Sequence, residues 1–244
     1  MDQLLTPEFW AAVGQIIVID ILLGGDNAVV IALACRQLPP AQRTKGIIWG
    51  TAGAIVLRVI LIFFALTLLA IPFLKIVGAL LLVWIGVKLI APDGEGRHGD
   101  IRGSEKLLAA IQTVIVADLV MSVDNVIAIA GAAEAAGGDQ KMPLVIFGLL
   151  VSIPIIVGGS QLVIKLMDRF PSIITVGGML LGWIAGTMVA SDPALVNVDF
   201  WTWVPKLPQT KVLKYAFGIG GALLVLAVGK WLEARARLVD QAQA

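Results

Sequence analysis

The chain has one cysteine, Cys35, and one histidine, His98, among 244 residues. A single thiol rules out an intramolecular disulfide and offers no thiolate cluster for zinc or iron–sulfur. Charge is scarce too: Asp, Glu, Lys and Arg make up 14% of the chain, against about a quarter in an ordinary soluble domain. The formal net charge is +1 and no basic stretch is interleaved with aromatics, so the footprint of a nucleic-acid binder is missing. No GxxxxGK[ST] sequence is present, which disfavours ATP drive within this chain. The N-terminal MDQLLTPEFW is acidic rather than basic, so it is expected to stay as the start of a first helix and not to be cleaved as a secretory signal.

What remains is apolar. Hydrophobic residues make up 59% and the mean hydropathy is +0.95. A soluble core of this size cannot absorb that excess, whereas lipid-facing helices need it. Seven segments are long enough, or nearly so, to span a bilayer: Trp10–Ala34, Gly46–Ala70, Phe73–Ile90, Leu107–Ala133, Leu144–Val163, Ile173–Val189 and Val212–Gly229. None shows the apolar–polar alternation of a membrane barrel. The expected fold is therefore an all-α, polytopic membrane protein with about seven transmembrane helices. The organisation reads as a three-helix repeat over 1–90, a cytoplasmic linker loop over 91–106 and a second repeat over 107–190. An outer loop over 191–211 and a seventh helix with a cytoplasmic tail over 212–244 follow.

Orientation follows from the basic residues. With the N-terminus outside, twelve Lys and Arg fall on the cytoplasmic side, among them Arg36, Arg43, Lys45, Lys230, Arg235 and Arg237. Five fall outside: Lys75, Lys141, Lys206, Lys211 and Lys214. That bias favours N-terminus out and C-terminus in. Trp201 and Trp203 in the outer loop suit the interface as aromatic anchors.

An internal repeat organises the spans. IIVIDILLGGDNAVVIALA (Ile16–Ala34) lies against VIVADLVMSVDNVIAIAGA (Val114–Ala132) at an offset of 98, which pairs Asp20 with Asp118, Asp26 with Asp124 and Asn27 with Asn125. Pro72, Gly78 and Trp84 fall on Pro171, Gly177 and Trp183 at an offset of 99. Units of three spans must enter the membrane from opposite sides, the inverted-repeat plan of many secondary transporters.

The chemistry sits in this repeat. Asp20, Asp26, Asp118 and Asp124 lie in predicted spans, where each carboxylate costs roughly 2.5–3.5 kcal/mol at a helix centre and should face the protein interior or a water-filled path. Asp20 and Asp26 are six residues apart, about 240° around a regular helix, but a break at Gly24-Gly25 could turn both toward one cavity. The second copy has Met121, Ser122 and Val123 in place of Leu23, Gly24 and Gly25, and its helix is expected to be continuous. Carboxylates with the Asn27 and Asn125 amides make an all-oxygen site suited to hard divalent ions such as Mn²⁺, Mg²⁺ or Ca²⁺. Met121 could add a thioether that tilts selection toward manganese, or serve as ordinary packing. Arg58, in mid-span, has Ile156 at its repeat position and could compensate one of the buried acids. Pro72 and Pro171 are expected to start the third and sixth spans, the glycines of the later spans to permit close helix approach, and His98 to be solvated in the polar loop.

At GGDNAVVIALA (Gly24–Ala34) and SVDNVIAIAG (Ser122–Gly131) the sequence resembles the TerC family of integral membrane proteins, in particular its YjbE-type metal transporters. The resemblance spans essentially the whole chain. It implies cation export across the bacterial inner membrane, with Mn²⁺ the first candidate, and acidic motifs at Asp20, Asp26, Asn27, Asp118, Asp124 and Asn125. The expectation is thus a secondary transporter with no cofactor beyond the transported ion. Its partners are a divalent cation, protons as a candidate counter-ion and the lipid bilayer, and its oligomeric state is unread. A proton relay without metal and a membrane scaffold of a metal or tellurium stress-resistance system are the alternatives. An enzyme is not expected, because the spans lack histidine and a nucleophile beside a groove.

The charge bias makes a topological prediction: a reporter fused after Ala244 should read cytoplasmic, and one inserted near Gly138 periplasmic. A periplasmic signal at both would mean that one of the last three spans does not cross.

Overall fold

In the computed structural model the described residues are 10, 14, 17–18, 26–91, 103–135, 141–196, 208 and 210–243. They form helices and no strand. In chain order these are α1 (Asp26–Cys35), α2 (Pro40–Ala70), α3 (Leu74–Ile90), α4 (Gly103–Ala135), α5 (Lys141–Arg169), α6 (Ser172–Ala190), a single turn α7 (Pro193–Val196) and α8 (Lys211–Gln243). Among the described residues five stretches are long and apolar enough to cross a membrane, and they lie in α2, α4, α5, α6 and α8. Against the seven spans expected, the third is a helix of 17 residues, and the first is described only in part. At 1.5 Å per residue α3 reaches about 25 Å, slightly short of a typical hydrocarbon core.

Helix ends depart from the apolar segments where polar residues carry on the helix. Pro40 opens α2 six residues before Gly46, because proline's fixed φ suits the first helical position. Pro72 and Pro171 do not occupy that position: Pro72 lies in the turn before α3, and Pro171 is the N-cap of α6. The tail after Gly229 is helical, so α8 has 33 residues and a length of about 50 Å, well beyond the membrane core. Its polar end carries a Lys230–Glu233 ion pair and Arg235 over the Trp231 ring. α4 runs unbroken through Met121–Asn125, as the second copy of the repeat leads one to expect.

The chain divides into two units, and each draws on both halves of the sequence: Met1–Leu69 with Ala110–Ile164, and Ala70–Ala109 with Lys165–Ala244.

In the first unit α1 is the inner helix. From Asp26 to Arg36 no residue is exposed, and Val30, Ile31, Ala32, Leu33 and Cys35 are buried. A helix apolar and covered on every side belongs in a core. α2 is amphipathic in the membrane sense: Ile47, Thr51, Ala54, Arg58 and Leu61 point inward, while Trp49, Val56, Ile60 and Phe64 are exposed to the lipid side. α2 and α4 run parallel, since Gly50 meets Val114, Gly53 meets Ile115 and Leu61 meets Leu119 in ascending order. The α1–α2 turn is tied by Arg43, whose Nε donates to the Leu38 carbonyl at 3.0 Å and whose Nη2 donates to that of Arg36 at 2.8 Å. A cation there meets the carbonyl end of α1, where the helix dipole is negative.

The second unit packs α3, α6 and α8. Gly86 meets Leu181 and the Gly178 carbonyl, so α3 and α6 are antiparallel once the Phe73–Asp192 contact at their other ends is included. Gly86 also meets Val225 and Gly229 meets Ile90, so α3 and α8 are parallel. The ends of α3 and α8 therefore lie at the same end of this unit. The α6–α8 seam is a small-residue contact: a Cβ on Gly186 would overlap the Phe217 carbonyl, and one on Gly182 the Gly221 carbonyl. In lipid, where apolar burial supplies no drive between helices, such backbone approach is a main source of association.

Asp192 holds one end of this unit together. Its side chain, fully buried, accepts from the backbone N–H groups of Phe73, Lys75 and Ile76 at 2.9, 3.0 and 3.2 Å, and from that of Ala194 at 2.8 Å. The first N–H groups of a helix have no intrahelical carbonyl, and a carboxylate there satisfies them and meets the positive end of the dipole. The same bonds hold Phe73 in the left-handed region, φ 66°, a conformation that costs a bulky residue of order 1–3 kcal/mol.

Two glycines of α8 and its partner test the seam. Gly186→Ala should lower thermal stability in detergent, because the methyl has no space. Gly220→Ala should leave it unchanged or raise it, since nothing lies within 4 Å of its Cβ position and alanine gains about 0.5–1 kcal/mol over glycine in a helix. Equal effects would mean that close approach is not what joins the helices.

Candidate functional site

The polar groups of the first unit collect on the inward faces of α1, α2 and α4. On α4 the inward stripe runs Ala110, Val114, Ala117, Met121, and Asp118 and Ser122 interrupt it. The i, i+4 spacing of Asp118 and Ser122 puts both on one face, and the Ser122 hydroxyl donates to Asp118 Oδ2 at 3.0 Å. Arg58, on the inward stripe of α2, closes a ring. Its Nη2 donates to Asp118 Oδ1, and its Nε to Ser122 Oγ at 3.1 Å. The ion pair is sealed from solvent, with side chains 3% and 8% exposed. Both oxygens of Asp118 thus have a donor, and the negative charge is compensated where it is buried. Arg58 reaches this partner only because α2 and α4 run parallel with small residues one to two turns earlier, at Gly50 and Gly53.

Asp26 and Asn27 lie on α1. The Asn27 backbone N–H donates to Asp26 Oδ1 at 2.9 Å. The Asn27 side chain is 3% exposed, yet its amide oxygen and nitrogen have no hydrogen-bond partner among the described residues. Thr51 Oγ1, buried on α2, is in the same state. By contrast Ser152 and Ser160 on α5 are buried but satisfied by the Leu149 and Ile156 carbonyls of their own helix. Met121 is buried on the inward stripe of α4.

Of the residues singled out in the sequence, the structure therefore brings together Arg58 and Asp118, and on α1 sets Asn27 beside Asp26. Asp20 and the Gly24-Gly25 pair lie outside the described residues, and so do the side chains of Asp124 and Asn125, whose backbone is part of α4. Among the described residues no group of three or more His, Cys, Asp or Glu is placed to hold a metal. Two residues were not legible. Thr51 had only its place seven residues before Arg58, on the same face of α2, to mark it. Asp192 lay in a loop, where a carboxylate is unremarkable until the N-terminus of α3 is brought against it.

The buried ring makes a stability prediction. Asp118→Ala leaves a buried guanidinium without its counter-charge and should cost about 3–5 kcal/mol. Ser122→Ala removes the hydroxyl that accepts from Arg58 and donates to Asp118 but leaves the ion pair, and should cost about 1.5–3 kcal/mol. Thermal or denaturant unfolding in detergent measures both, and two small, equal losses would show that the pair carries no such weight.

A family model described as the integral membrane protein TerC family matches residues 5–237. The uncharacterized membrane protein YjbE of Bacillus subtilis (strain 168) is 43% identical over 180 residues, covering 74% of this chain and 79% of that protein. The uncharacterized membrane protein YceF of the same organism is 29% identical over 198 residues, 78% of this chain and 75% of that one. The UPF0053 inner membrane protein YgdQ of Escherichia coli (strain K12) is 25% identical over 183 residues, 68% of this chain and 75% of that one. No solved structure matches.

Proposed function

The chain belongs to the TerC family of integral membrane proteins, and on that footing we propose that it is a secondary transporter exporting a divalent metal cation, with manganese the first candidate. The observation that carries the reading is the Asn27 side chain: an amide buried at membrane depth, both polar atoms without a partner among the described residues, next to the Asp26 carboxylate. An unsatisfied buried polar group costs about 1–3 kcal/mol, and a hard cation on the Asn27 and Asp26 oxygens offsets that cost. Donors of this kind suit Mn²⁺, Mg²⁺ or Ca²⁺ better than Cu⁺ or Zn²⁺. In this reading Asp20, Asp124 and Asn125 complete the oxygen set, and the protein performs no covalent chemistry.

Alternating access between two inverted halves is the mechanism proposed. It is supported by the offset-98 repeat, by the pairing of α3 with its counterpart α6 in antiparallel sense, and by each unit drawing helices from both halves. The proposed setting is the bacterial inner membrane with the N-terminus outside, supported by the partition of basic residues and by the inner-membrane name of the YgdQ relative.

Purified protein in liposomes tests this directly. Asp26→Asn keeps the volume and removes the charge, so it should cut Mn²⁺ flux by about a hundredfold or more while insertion stays near wild type; Asn27→Ala should cut it by about ten- to a hundredfold. Mg²⁺, Ca²⁺ and Zn²⁺ as competitors define selectivity. Normal Mn²⁺ flux through a well-inserted Asp26→Asn variant would sink the assignment. Proton flux with no dependence on any divalent ion would favour a relay instead.

A further inference from the structure

Among the described residues, the cations that sit over aromatic rings all lie at one end of the second unit. Lys88 Nζ is 5.4 Å from the centre of the Trp84 ring, the Arg169 guanidinium 5.8 Å from that of Phe170 and the Arg235 guanidinium 5.2 Å from that of Trp231, all within reach of a cation–π contact. Packing fixes the shared end: Gly86 of α3 meets Gly178 of α6 and Val225 of α8, and Ile90 meets Gly178 and Gly229. α3 and α8 run toward that end, and α5 reaches it to turn through Phe170 and Pro171 into α6. At 1.5 Å per residue the three cationic residues span a band of about 12 Å along the helix axes, against a headgroup layer of about 5–8 Å. Arg235, folded back over Trp231, and Lys88, on its flexible stem, close that gap from either side.

These faces are open. Trp84, Phe170 and Trp231 are 58%, 50% and 58% exposed, and Lys88, Arg169 and Arg235 are exposed beside them. Among the described residues none of these three cations is in an ion pair, whereas Lys230 at the same end pairs with Glu233. On α3 and α8 the ring and its cation are four residues apart and share a face, with the cation nearer the helix end. The carbonyl end of a helix accounts for Lys88 and Arg169, which lie in last turns. It does not account for Arg235, eight residues before α8 ends at Gln243, nor for three large rings left open. A phospholipid accounts for both: aromatic rings settle where acyl chains meet headgroups, and the cations meet the phosphates above them. A second copy of this chain fits less well, because an isologous contact between membrane-embedded copies sets like charges against each other. Over 88–106, 165–169 and 230–244 nine Lys and Arg stand against seven Asp and Glu, an excess that favours a lipid of net negative charge over a zwitterionic one. We propose that this end of the second unit binds anionic phospholipids, with Lys88, Arg169 and Arg235 on the headgroup phosphates and Trp84, Phe170 and Trp231 along the acyl chains. Such binding needs only that the chain is membrane-embedded, and stands or falls apart from metal transport.

The full chain in neutral detergent, titrated with phosphatidylglycerol or phosphatidylcholine, supplies the test, read as lipid-dependent thermal stability and as lipid retained in native mass spectrometry. Phosphatidylglycerol should bind at least about tenfold more tightly than phosphatidylcholine, and added salt should weaken it. Lys88→Gln, Arg169→Gln and Arg235→Gln should each weaken phosphatidylglycerol binding about fivefold, and the triple variant about a hundredfold, with phosphatidylcholine binding unchanged. Lys214→Gln, which removes an exposed cation at the other end of α8, should bind as wild type does. The substituted side chains are exposed, so the variants should fold; if the triple variant does not, the three single variants carry the same comparison. Equal affinity for the two lipids, charge variants indistinguishable from wild type, or an equal loss in Lys214→Gln would overturn the proposal. So would saturation by glycerol phosphate at the same concentration as the lipid, which would make this a site for a soluble phosphate.

Discussion

A bare carboxylate does not survive at membrane depth, and the first unit is built around that constraint. Asp118 on α4 is held by Arg58 on α2 and by Ser122 one turn further along its own helix. The guanidinium fork suits this task because it can serve two acceptors at once and keeps its charge in any surroundings. The parallel run of α2 and α4 and their close approach at Gly50 and Gly53 bring the pair within reach. The inner position of α1 follows from the same constraint, since no residue of the helix that carries Asp26 and Asn27 is exposed. A buried ion pair contributes little net stability over an apolar pair of equal volume. Keeping one in this unit has its meaning in what the charges do there.

The second unit solves a different problem in its helix seams. Helices α3, α6 and α8 have nothing to gain from apolar burial against one another in lipid, and they associate through backbone contact at Gly178, Gly182, Gly186 and Gly221. The polar groups exposed by ending α6 and starting α3 at one place are met by Asp192. One side chain satisfies four N–H groups and stabilises the left-handed Phe73. The two units thus divide the work of a membrane protein: one carries the buried Arg58–Asp118 pair, the other is joined by small residues and capped by the buried Asp192.

Apolar length and patterning made the helices legible, because a membrane offers few ways to satisfy a backbone and a run of about twenty apolar residues has one answer. The continuity of α4 was readable from Met121-Ser122-Val123, which lacks the glycines of the first copy. Helix ends were less so. Residues 230–243 look like a polar tail, yet they stay helical, since Glu, Ala, Arg and Leu favour helix in water as well as in lipid. The acidic character of the first and fourth spans was likewise plain from Asp20, Asp26, Asp118 and Asp124.

By itself, then, the sequence determined that the chain is helical and membrane-embedded, that four of its acids fall within apolar segments, and that Arg58 needed an anionic partner, because hydropathy and the cost of burying charge depend on composition and local order. Which acid that partner is, which amide remains unsatisfied and which loop carboxylate caps α3 were decided only in the tertiary structure. Asp118 is 60 residues from Arg58 and Asp192 is 119 from Phe73. Side chains so far apart in the chain meet only when helix direction and register are set by packing, and no local pattern in the sequence encodes either.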